Sequence, residues 1–410
     1  MKFLQTSDWH LGKIFYETSL IQDQVHFLNQ IIDELKLSQK NNAPYDALLI
    51  PGDIYDRSVP PSDAVNILND FFTTIHKEFP ELHIFITSGN HDSPERLNFC
   101  AKILSDSNIH ICATTKEFTS PFILQTESEK AAIYQLPFLT PYSIEKTDEE
   151  NNEAQNEFDF SNNARLKFQQ ELYEEACKQI KKDVENHADC ISIFCGHLFT
   201  LNSTVSDSER SNIGTADQVD ASLFDFFDYG AIGHIHSFQK AGKKNLYYSG
   251  SPLAYSFDDS KDKFLLSVTI CKNQPAEITK IPVEPLHKVT RLEGCFSDFY
   301  GPTSKTELIQ THKNDFIEII CTDEVLPSSP MPLLKTVFPN VLSFKMKSFF
   351  AENSNQMIAE RRKIIEGNSL NKSENLFEAF FDEINQNAQI DQNLKEEEKK
   401  IFLNYAKGIL

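Results

Sequence analysis

The stretch HIFITSGNHD (83–92) shows the pattern that decides the fold, an apolar run followed at once by a glycine and polar side chains. The same pattern occurs in ALLIPGDIYD (47–56), ISIFCGH (191–197) and YGAIGHIH (229–236), and KFLQTSDWHLG (2–12) opens the chain with a variant of it. Short apolar runs bounded by such breaks are typical of buried β-strands. Because α/β folds place their sites beyond the carboxyl ends of strands, the pattern predicts that five strands deliver polar side chains to one place.

The segments between the apolar runs have helical periodicity. Apolar residues recur every three or four positions in two of these segments, and the second segment begins at Pro60–Pro61–Ser62. These residues are Val25, Leu28, Ile32 and Leu35, then Val65, Leu68, Phe72, Ile75 and Phe79. Further strands are expected at 132–136, 246–249 and 264–270. Strands that alternate with helices predict an α/β protein, a layered sheet sandwich flanked by helices.

Composition divides the chain into three parts. Residues 1–285 carry the alternating pattern and form the predicted catalytic domain, apart from an acidic, Asn-rich loop at 143–163. Residues 286–350 predict a small α+β capping domain, with strands at 289–292, 316–321 and 341–347 and a helix at 331–337. Residues 351–410 are polar with apolar stripes and predict a helical tail. The stripes suit either a docking face for another protein or packing on the chain's own core.

Charge and cysteine content narrow the function classes. The net charge of −21 over 410 residues argues against a passive nucleic-acid coat, which would carry a basic face, but not against an enzyme that acts on nucleic acid. The eight cysteines include no CxxC pair, which argues against a zinc knuckle or a redox pair. The first residues lack an apolar signal segment, and no run is long enough to span a membrane. We therefore expect a cytoplasmic protein that does not bind membranes.

The polar residues at the five strand ends are all oxygen or nitrogen donors. Asp8 and His10 lie two positions apart, as do His234 and His236, so each pair would point to one side of an extended chain. The full set is Asp8, His10, Asp53, Asn90, His197, His234 and His236. This set is too large for one tetrahedral ion and suits two ions that share a carboxylate, the arrangement that activates a water and holds a phosphate. Imidazole and carboxylate ligands suit manganese, iron, nickel or zinc. The glycine before the polar residue in four of the motifs would let the strand turn sharply and bring its backbone close to a bound ion, because glycine has no Cβ.

Two further residues are candidates for catalytic roles. His91 lies between Asn90 and Asp92, and it either assists the leaving group as an acid or charge stabiliser or serves as a structural turn residue. Asp56 either orients a metal ligand or caps the next segment.

The ordered motifs resemble those of the calcineurin-like metallophosphoesterases and, more closely, the SbcD family of bacterial DNA nucleases. The resemblance covers roughly residues 1–350 and rests on TSDWHLG, PGDIYD followed by PPS, SGNHDS, CGH, GHIH and YSGSP (248–252). It implies a manganese-dependent enzyme that acts as a double-strand exonuclease and as an endonuclease on hairpins and single strands. It also implies a complex of two such subunits with two SbcC ATPase subunits, active in DNA recombination, replication and repair.

The resemblance assigns roles residue by residue. It places one metal on Asp8, His10, Asp53 and His236, and the other on Asp53, Asn90, His197 and His234. His91 becomes the catalytic histidine. The capping domain contacts DNA, the terminal helices bind SbcC, and the helices near 61–79 and 93–105 form the homodimer contact. Basic residues near the motif loops are candidate DNA contacts: Lys13, Arg57, Arg96, Arg210 and Lys261.

Two other functions remain open at this point. A small-molecule phosphodiesterase or nucleotide-sugar hydrolase would use the same site, although it would need neither a capping domain nor a helical tail. An architectural protein with a vestigial site is a second possibility. The intact set of candidate ligands argues against it, because a vestigial site would be expected to have lost at least one.

Overall fold

A computed structural model describes residues 1–115, 118–140, 169–201, 203–204, 218–323 and 325–347. The predicted loop at 143–163 and the predicted helical tail at 351–410 lie outside these residues. The helices are α1 Ile21–Lys40, α2 Ser62–Glu78, α3 Pro94–Leu97, α4 Ala101–Ser105, α5 Gln169–Asn186, α6 Phe296–Phe299, α7 Thr306–His312 and α8 Pro330–Lys335, with a 3-10 turn at Ala221–Phe224. Among the described helices, none is both long and apolar enough to cross a membrane.

The strands fall mainly into two six-stranded sheets and one three-stranded sheet. The first strands in chain order are β1 Lys2–Gln5, β2 Ile14–Phe15, β3 Thr18–Ser19, β4 Ala47–Pro51, β5 His83–Thr87, β6 Ile109–Cys112, β7 Phe122–Gln125 and β8 Lys130–Leu136. The next are β9 Ile191–His197, β10 Phe199–Thr200, β11 Gln218–Val219, β12 Tyr229–Gly233, β13 Gln239–Ala241, β14 Leu246–Tyr248, β15 Phe264–Thr269 and β16 Glu277–Pro282. The last are β17 Val289–Gly294, β18 Phe316–Cys321 and β19 Val341–Met346.

Both large sheets have a parallel centre. The first has the order β16-β15-β1-β4-β5-β6, in which β1, β4, β5 and β6 are parallel and β15 and β16 are antiparallel. The second has the order β13-β14-β12-β9-β8-β7, with β8, β9, β12 and β14 parallel and both edge strands antiparallel. Parallel strands are buried on both faces, which explains their nearly unbroken apolar runs.

Three layers of apolar side chains hold the sheets and helices together. The layer between the sheets contains Phe3, Leu49, Phe85, Ile193 and Ala231, all of them fully buried. On the outer face of the first sheet, α1 and α2 pack their apolar stripes, and on the second sheet α5 does so. Each fully buried Leu, Ile or Phe side chain stabilises the fold by about 1.5–3 kcal/mol. The predicted α/β sandwich flanked by helices is therefore confirmed.

Every strand predicted in the sandwich is present, but four others escaped prediction. These are the edge strands β6, β7, β13 and β16, which lie at the two ends of each sheet. An edge strand is less buried than a central one, so its sequence alternates between apolar and polar residues or is largely polar. FILQ (122–125) and EITKIP (277–282) are examples.

The chain forms two compact units. The first comprises Met1–Arg291, His312–Glu318 and Asn340–Ser343, and it contains both large sheets. Among the described residues, the second comprises Leu292–Thr311, Ile319–Pro339 and Phe344–Lys347. The strands and the helix predicted between 289 and 347 are present as β17, β18, α8 and β19. The three-domain division made from the sequence stays a prediction.

Candidate metal centre

The two large sheets present their polar strand ends to one site. Asp8 follows β1, Asp53 follows β4 and Asn90 follows β5, all in the first sheet. His197 is the last residue of β9 and His234 follows β12, both in the second sheet. The structure therefore brings together residues that are up to 226 positions apart in the chain. For example, the backbone N–H of His234 donates a hydrogen bond to Asp8 Oδ1 at 2.8 Å.

One half of the site contains Asp8, His10 and His236. All three are buried, and one donor atom from each lies within 4.8 Å of the others. The Nε2 atoms of His10 and His236 are 3.2 Å apart and face each other. Two neutral imidazoles gain only one hydrogen bond from this arrangement, whereas a cation between them would use both lone pairs. The donor set therefore fits a divalent metal ion.

The other half contains Asn90, His197 and His234. The amide oxygen of Asn90 lies 3.0 Å from His197 Nε2 and 2.9 Å from His234 Nδ1. The two ring nitrogens are 3.3 Å apart. An amide oxygen and two imidazole nitrogens converge here without a thiolate, which again suits a divalent cation.

Asp53 lies between the two halves. Its Oδ2 atom is 3.6 Å from His10 Nε2 and 3.4 Å from His197 Nε2. Its Oδ1 atom accepts a hydrogen bond from the backbone N–H of His91 at 3.0 Å. One carboxylate thus faces donors of both halves while its second oxygen is held by the backbone, a geometry that suits a shared ligand.

Burial keeps the candidate histidines neutral. It lowers the pKa of both His234 and His236 to about 3, and it lowers the pKa of His10 and His197. Neutral imidazole is the form that binds a metal. Burial alone would raise the pKa of Asp53, but the hydrogen bond from the backbone N–H of His91 helps to hold that pKa well below its usual range. The site therefore offers neutral nitrogens around an ionised carboxylate.

Hydrogen bonds to the backbone orient two of the rings. His197 Nδ1 donates to the carbonyl oxygen of Pro51 at 3.0 Å, which leaves Nε2 as the ligand atom. His91 Nδ1 donates to the carbonyl oxygen of Asp56 at 2.9 Å, which fixes the orientation of the imidazole. A ring fixed in this way needs no rearrangement to bind a metal or donate a proton.

The backbone at the candidate ligands differs from the extended geometry expected from the sequence. Asp8 and His10 have φ values of 56° and 44°, Asp53 has 51° and His234 has 109°. Non-glycine residues rarely adopt positive φ, and each such residue stores about 1–3 kcal/mol of strain where surrounding contacts enforce it. The expectation that these residues lie on extended chain was therefore wrong for Asp8, His10 and His234, although both pairs reach the site as expected.

The glycines at the strand ends make room for candidate ligands. A Cβ atom on Gly89 would lie 2.1 Å from Asp53 Oδ1, and one on Gly52 would lie 2.2 Å from His197 Nδ1. A Cβ on Gly233 would lie 1.9 Å from the Pro51 carbonyl oxygen. The glycines were expected to let the backbone approach a metal ion. Instead, side chains and backbone of the site fill the space.

His91 and Asp56 lie beside the His10 half. The Nδ1 atom of His10 is 3.7 Å from Asp56 Oδ1, which also accepts a hydrogen bond from Lys13 at 2.7 Å. The rings of His91 and His10 meet edge to face with centroids 4.8 Å apart. Both geometries suit the roles predicted for these residues, which stay predictions.

Comparison with known proteins identifies the family. The model of the family "Calcineurin-like phosphoesterase" matches residues 1–238. Two relatives, both named as the D component of the nuclease SbcCD, are each 30% identical. The one from Staphylococcus saprophyticus aligns over 85% of both chains, and the one from Staphylococcus epidermidis over 84% of both. The chain belongs to the calcineurin-like phosphoesterases, in the branch of the SbcD nucleases.

One solved structure is also similar to this calcineurin-like phosphoesterase. It is titled a putative 5'-nucleotidase from Staphylococcus aureus in complex with alpha-ketoglutarate and is 16% identical, with a TM-score of 0.39. The alignment covers 69% of this chain and 54% of that one. The family and the relatives confirm a metal-dependent phosphodiester hydrolase that uses divalent ions.

Sequence reasoning missed two residues that hold the phosphoesterase loops in place. The Asp92 carboxylate accepts backbone hydrogen bonds from Ile54, Tyr55 and Gly89 at 2.9–3.1 Å, which joins two motif loops. Gln24 of α1 donates to the carbonyl of His10 at 2.7 Å and accepts from the backbone N–H of Gly12 at 2.9 Å. Asp92 stands in the GNHD motif and could have been singled out, whereas nothing in the sequence distinguishes Gln24.

The candidate DNA contacts lie in different surroundings. Arg57 has a side chain 57% exposed and lies 4.0 Å from Asp56. Arg96 and Lys261 are exposed as well, whereas the ammonium of Lys13 is engaged by Asp56. Arg210 lies outside the described residues.

Proposed function

We propose that this chain is the nuclease component of an SbcCD-type complex and hydrolyses DNA phosphodiester bonds with two divalent ions. One ion is held by Asp8, His10, Asp53 and His236, and the other by Asp53, Asn90, His197 and His234. The observation that carries the proposal is the position of Asp53 Oδ2, 3.6 Å from His10 Nε2 and 3.4 Å from His197 Nε2. Manganese is the proposed metal, and the cytoplasm the proposed place of action.

The charges of the site favour a phosphate. Two divalent ions bring four positive charges, and the carboxylates of Asp8 and Asp53 return two negative ones, while the histidines are neutral. The metal-loaded site is therefore positive and attracts an anion, and the chain's net charge of −21 is screened over longer distances. When bound, such a pair of ions activates a water and holds the phosphate for in-line attack.

His91 is the proposed catalytic acid. Its backbone N–H donates to Asp53 and its Nδ1–H donates to the Asp56 carbonyl, so the ring is held from two sides. The remaining nitrogen, Nε2, donates a proton to the departing oxygen or stabilises its charge. His10 Nδ1 is buried without a hydrogen-bond partner among the described residues, and Asp56, whose Oδ1 atom lies 3.7 Å away, is the residue proposed to orient that ring.

The proposed assembly pairs two copies of this chain with two SbcC-type ATPase subunits. Exposed apolar side chains support a homodimer contact near the predicted helices: Phe99 is 78% exposed, Ile103 68% and Val65 43%. In the proposal, the capping domain of residues 286–350 contacts DNA ends and hairpins, and residues 351–410 bind the ATPase.

The test is a metal-dependence assay on the purified chain. An end-labelled linear duplex, a single-stranded circle, bis-p-nitrophenyl phosphate and p-nitrophenyl phosphate are incubated with Mn²⁺, Mg²⁺ or chelator. Asp53→Asn removes the proposed shared ligand, and Asp33→Asn, at an exposed position of α1, is the matched control. We expect cutting of DNA and the diester with Mn²⁺, little monoester turnover, and a loss of more than about 100-fold in Asp53→Asn alone.

The other outcomes of the assay discriminate between functions. Monoester turnover with DNA untouched would replace the nuclease by a small-molecule phosphoesterase. Cleavage of the simple diester alone would mean that DNA reaches the site only with the ATPase present. Unchanged cutting by Asp53→Asn would contradict the ligand assignment.

A further inference from the structure

The main chain of His236 is held by a loop that the proposed reaction does not use. This loop, residues 250–263, begins after β14 and ends where β15 starts. The carbonyl oxygen of His236 accepts hydrogen bonds from the backbone N–H of Ser251 at 3.1 Å and from Lys263 Nζ at 2.9 Å. The close approach depends on Gly250, which has a φ of 79° and whose Cβ would lie 2.8 Å from that carbonyl oxygen.

Lys263 is a buried cation beside the proposed metal centre. It is only 6% exposed, and burying an ammonium costs several kcal/mol unless partners compensate it. Its ammonium also donates to Ser251 Oγ at 3.0 Å, and Ser251 Oγ donates in turn to the Leu253 carbonyl at 2.7 Å. Lysine is almost never fully buried unless its ammonium is paired, so the hydrogen bond to the His236 carbonyl is an unusual feature of this loop.

The same loop also engages the ring of His236. Asp259 Oδ2 lies 4.0 Å from His236 Nδ1, on the side of the imidazole opposite the Nε2 that faces His10. Asp259 is itself held by the backbone N–H of Tyr255 at 2.7 Å and by Ser256 Oγ at 2.8 Å. The Tyr255 ring packs edge to face on both His10 and His236. The loop therefore restrains His236 at its carbonyl, its Nδ1 edge and its ring face.

We propose that Lys263 is a positioning residue that holds His236 through its main-chain carbonyl and thereby sets the metal affinity of the Asp8–His10–His236 half of the site. The inference rests on the proposed function, because it takes His236 as a metal ligand. The carbonyl is one bond from the Cα atom that bears the imidazole, so its displacement moves Nε2 away from His10. The carboxylate of Asp259 offsets the unfavourable charge of an ammonium near the metals.

The test compares Lys263→Met with Lys272→Met in the full chain. Lys272 is a matched control because its ammonium also donates to a main-chain carbonyl, that of Cys190 at 2.5 Å, and to a side-chain oxygen, Asp228 Oδ2 at 3.0 Å. Calorimetric titration with Mn²⁺ counts the bound ions, and electron paramagnetic resonance shows whether they are exchange-coupled. Circular dichroism reports folding. If Lys263→Met does not fold, Lys263→Gln is measured in its place.

We expect wild type and Lys272→Met to bind two coupled ions. Lys263→Met should fold but bind one ion about 10–100-fold more weakly, with the spectrum of an isolated ion at limiting metal. Two coupled ions bound to Lys263→Met with wild-type affinity would overturn the inference and leave the proposed function intact. A wild-type chain that binds no Mn²⁺ would overturn both.

Discussion

At the scale of the residue, the site depends on its glycines, which have no side chain, as much as on its candidate ligands. Gly52, Gly89 and Gly233 leave space that Asp53, His197 and the Pro51 carbonyl occupy at 1.9–2.2 Å from where a Cβ would lie. The glycines and the candidate ligands depend on each other. Asp53 can face both halves of the site only because Gly89 has no side chain.

Gly89→Ala should therefore damage the metal centre. The new methyl group would meet Asp53 Oδ1 and the Asp53 backbone nitrogen, at 2.1 and 2.4 Å, and neither atom can move without displacing the proposed shared ligand. We expect Mn²⁺ affinity to fall by about tenfold or more and the free energy of unfolding by about 1–3 kcal/mol. Calorimetry and urea unfolding measure the two effects.

Gly230→Ala is the control for this prediction. Its Cβ would lie 2.3 Å from Leu246 Cδ1, the end of a flexible side chain that can rotate away. Mn²⁺ affinity should stay at the wild-type value in this variant. Equal metal binding in both variants would show that the space at Gly89 does not position Asp53.

The candidate ligands were predictable from sequence because each stands at the end of an apolar run. Lys263 and Gln24 were not predictable, because what they hold is a main-chain carbonyl, and any residue type provides one. Their roles depend on the distance between two segments of chain, which a motif does not record.

At the scale of the element, the burial of a strand determined whether it could be predicted from the sequence. The central strands, such as ALLIP (47–51), are buried at every position and were predicted. The edge strands β6, β7, β13 and β16 were missed because they bury apolar side chains on one face at most, so their sequences lack a continuous apolar run. The long helices α1 and α2 were predicted from their apolar stripes, yet α1 also contributes a polar side chain, Gln24, to the loop that carries His10.

Gln24→Ala should loosen that loop from α1. Gln24 is fully buried and bonds to Gly12 N, His10 O and, at 3.4 Å, Trp9 O, so its loss leaves buried polar groups unpaired. We expect the free energy of unfolding to fall by about 2–4 kcal/mol in urea titrations. Gln22→Ala, at an exposed position of the same helix, should change it by less than about 0.5 kcal/mol. Similar losses in both would assign the effect to helix propensity.

At the scale of the whole molecule, the site exists because two sheets face each other. Asp8, Asp53 and Asn90 come from one sheet, His197 and His234 from the other, and the apolar layer between the sheets sets their separation. The sequence predicted that the candidate ligands converge at strand ends. The alternation of strands and helices does not indicate whether these strands belong to one sheet or to two. Local periodicity is a property of single elements, whereas sheet order depends on contacts distant in sequence.

Metal binding should stabilise the entire fold, because the ligands come from both sheets. A ligand present at a hundred times its dissociation constant adds about 2.7 kcal/mol to the free energy of unfolding. Thermal unfolding of the wild-type chain should therefore shift upward with Mn²⁺ and return to the metal-free value with chelator. Asp53→Asn should show little or no shift, and a shift as large as that of the wild type would contradict the shared-ligand role.

The assembly prediction concerns the exposed apolar residues of the α3–α4 segment. Replacing both Phe99 and Ile103 by Glu should convert a dimer to a monomer, because it places charge on the most exposed apolar positions of that segment. Light scattering after size-exclusion chromatography measures the mass. Leu37→Glu, at a position of α1 that is 51% exposed, should remain dimeric. A dimer that survives the double replacement would exclude this surface as the contact.

The central claim is that two metal ions share Asp53, and anomalous X-ray diffraction from crystals grown with Mn²⁺ tests it most directly. The account predicts two anomalous peaks. One should lie among Asp8, His10 and His236, the other among Asn90, His197 and His234, with Asp53 touching both. A single peak, or two peaks of which Asp53 touches only one, would contradict the account.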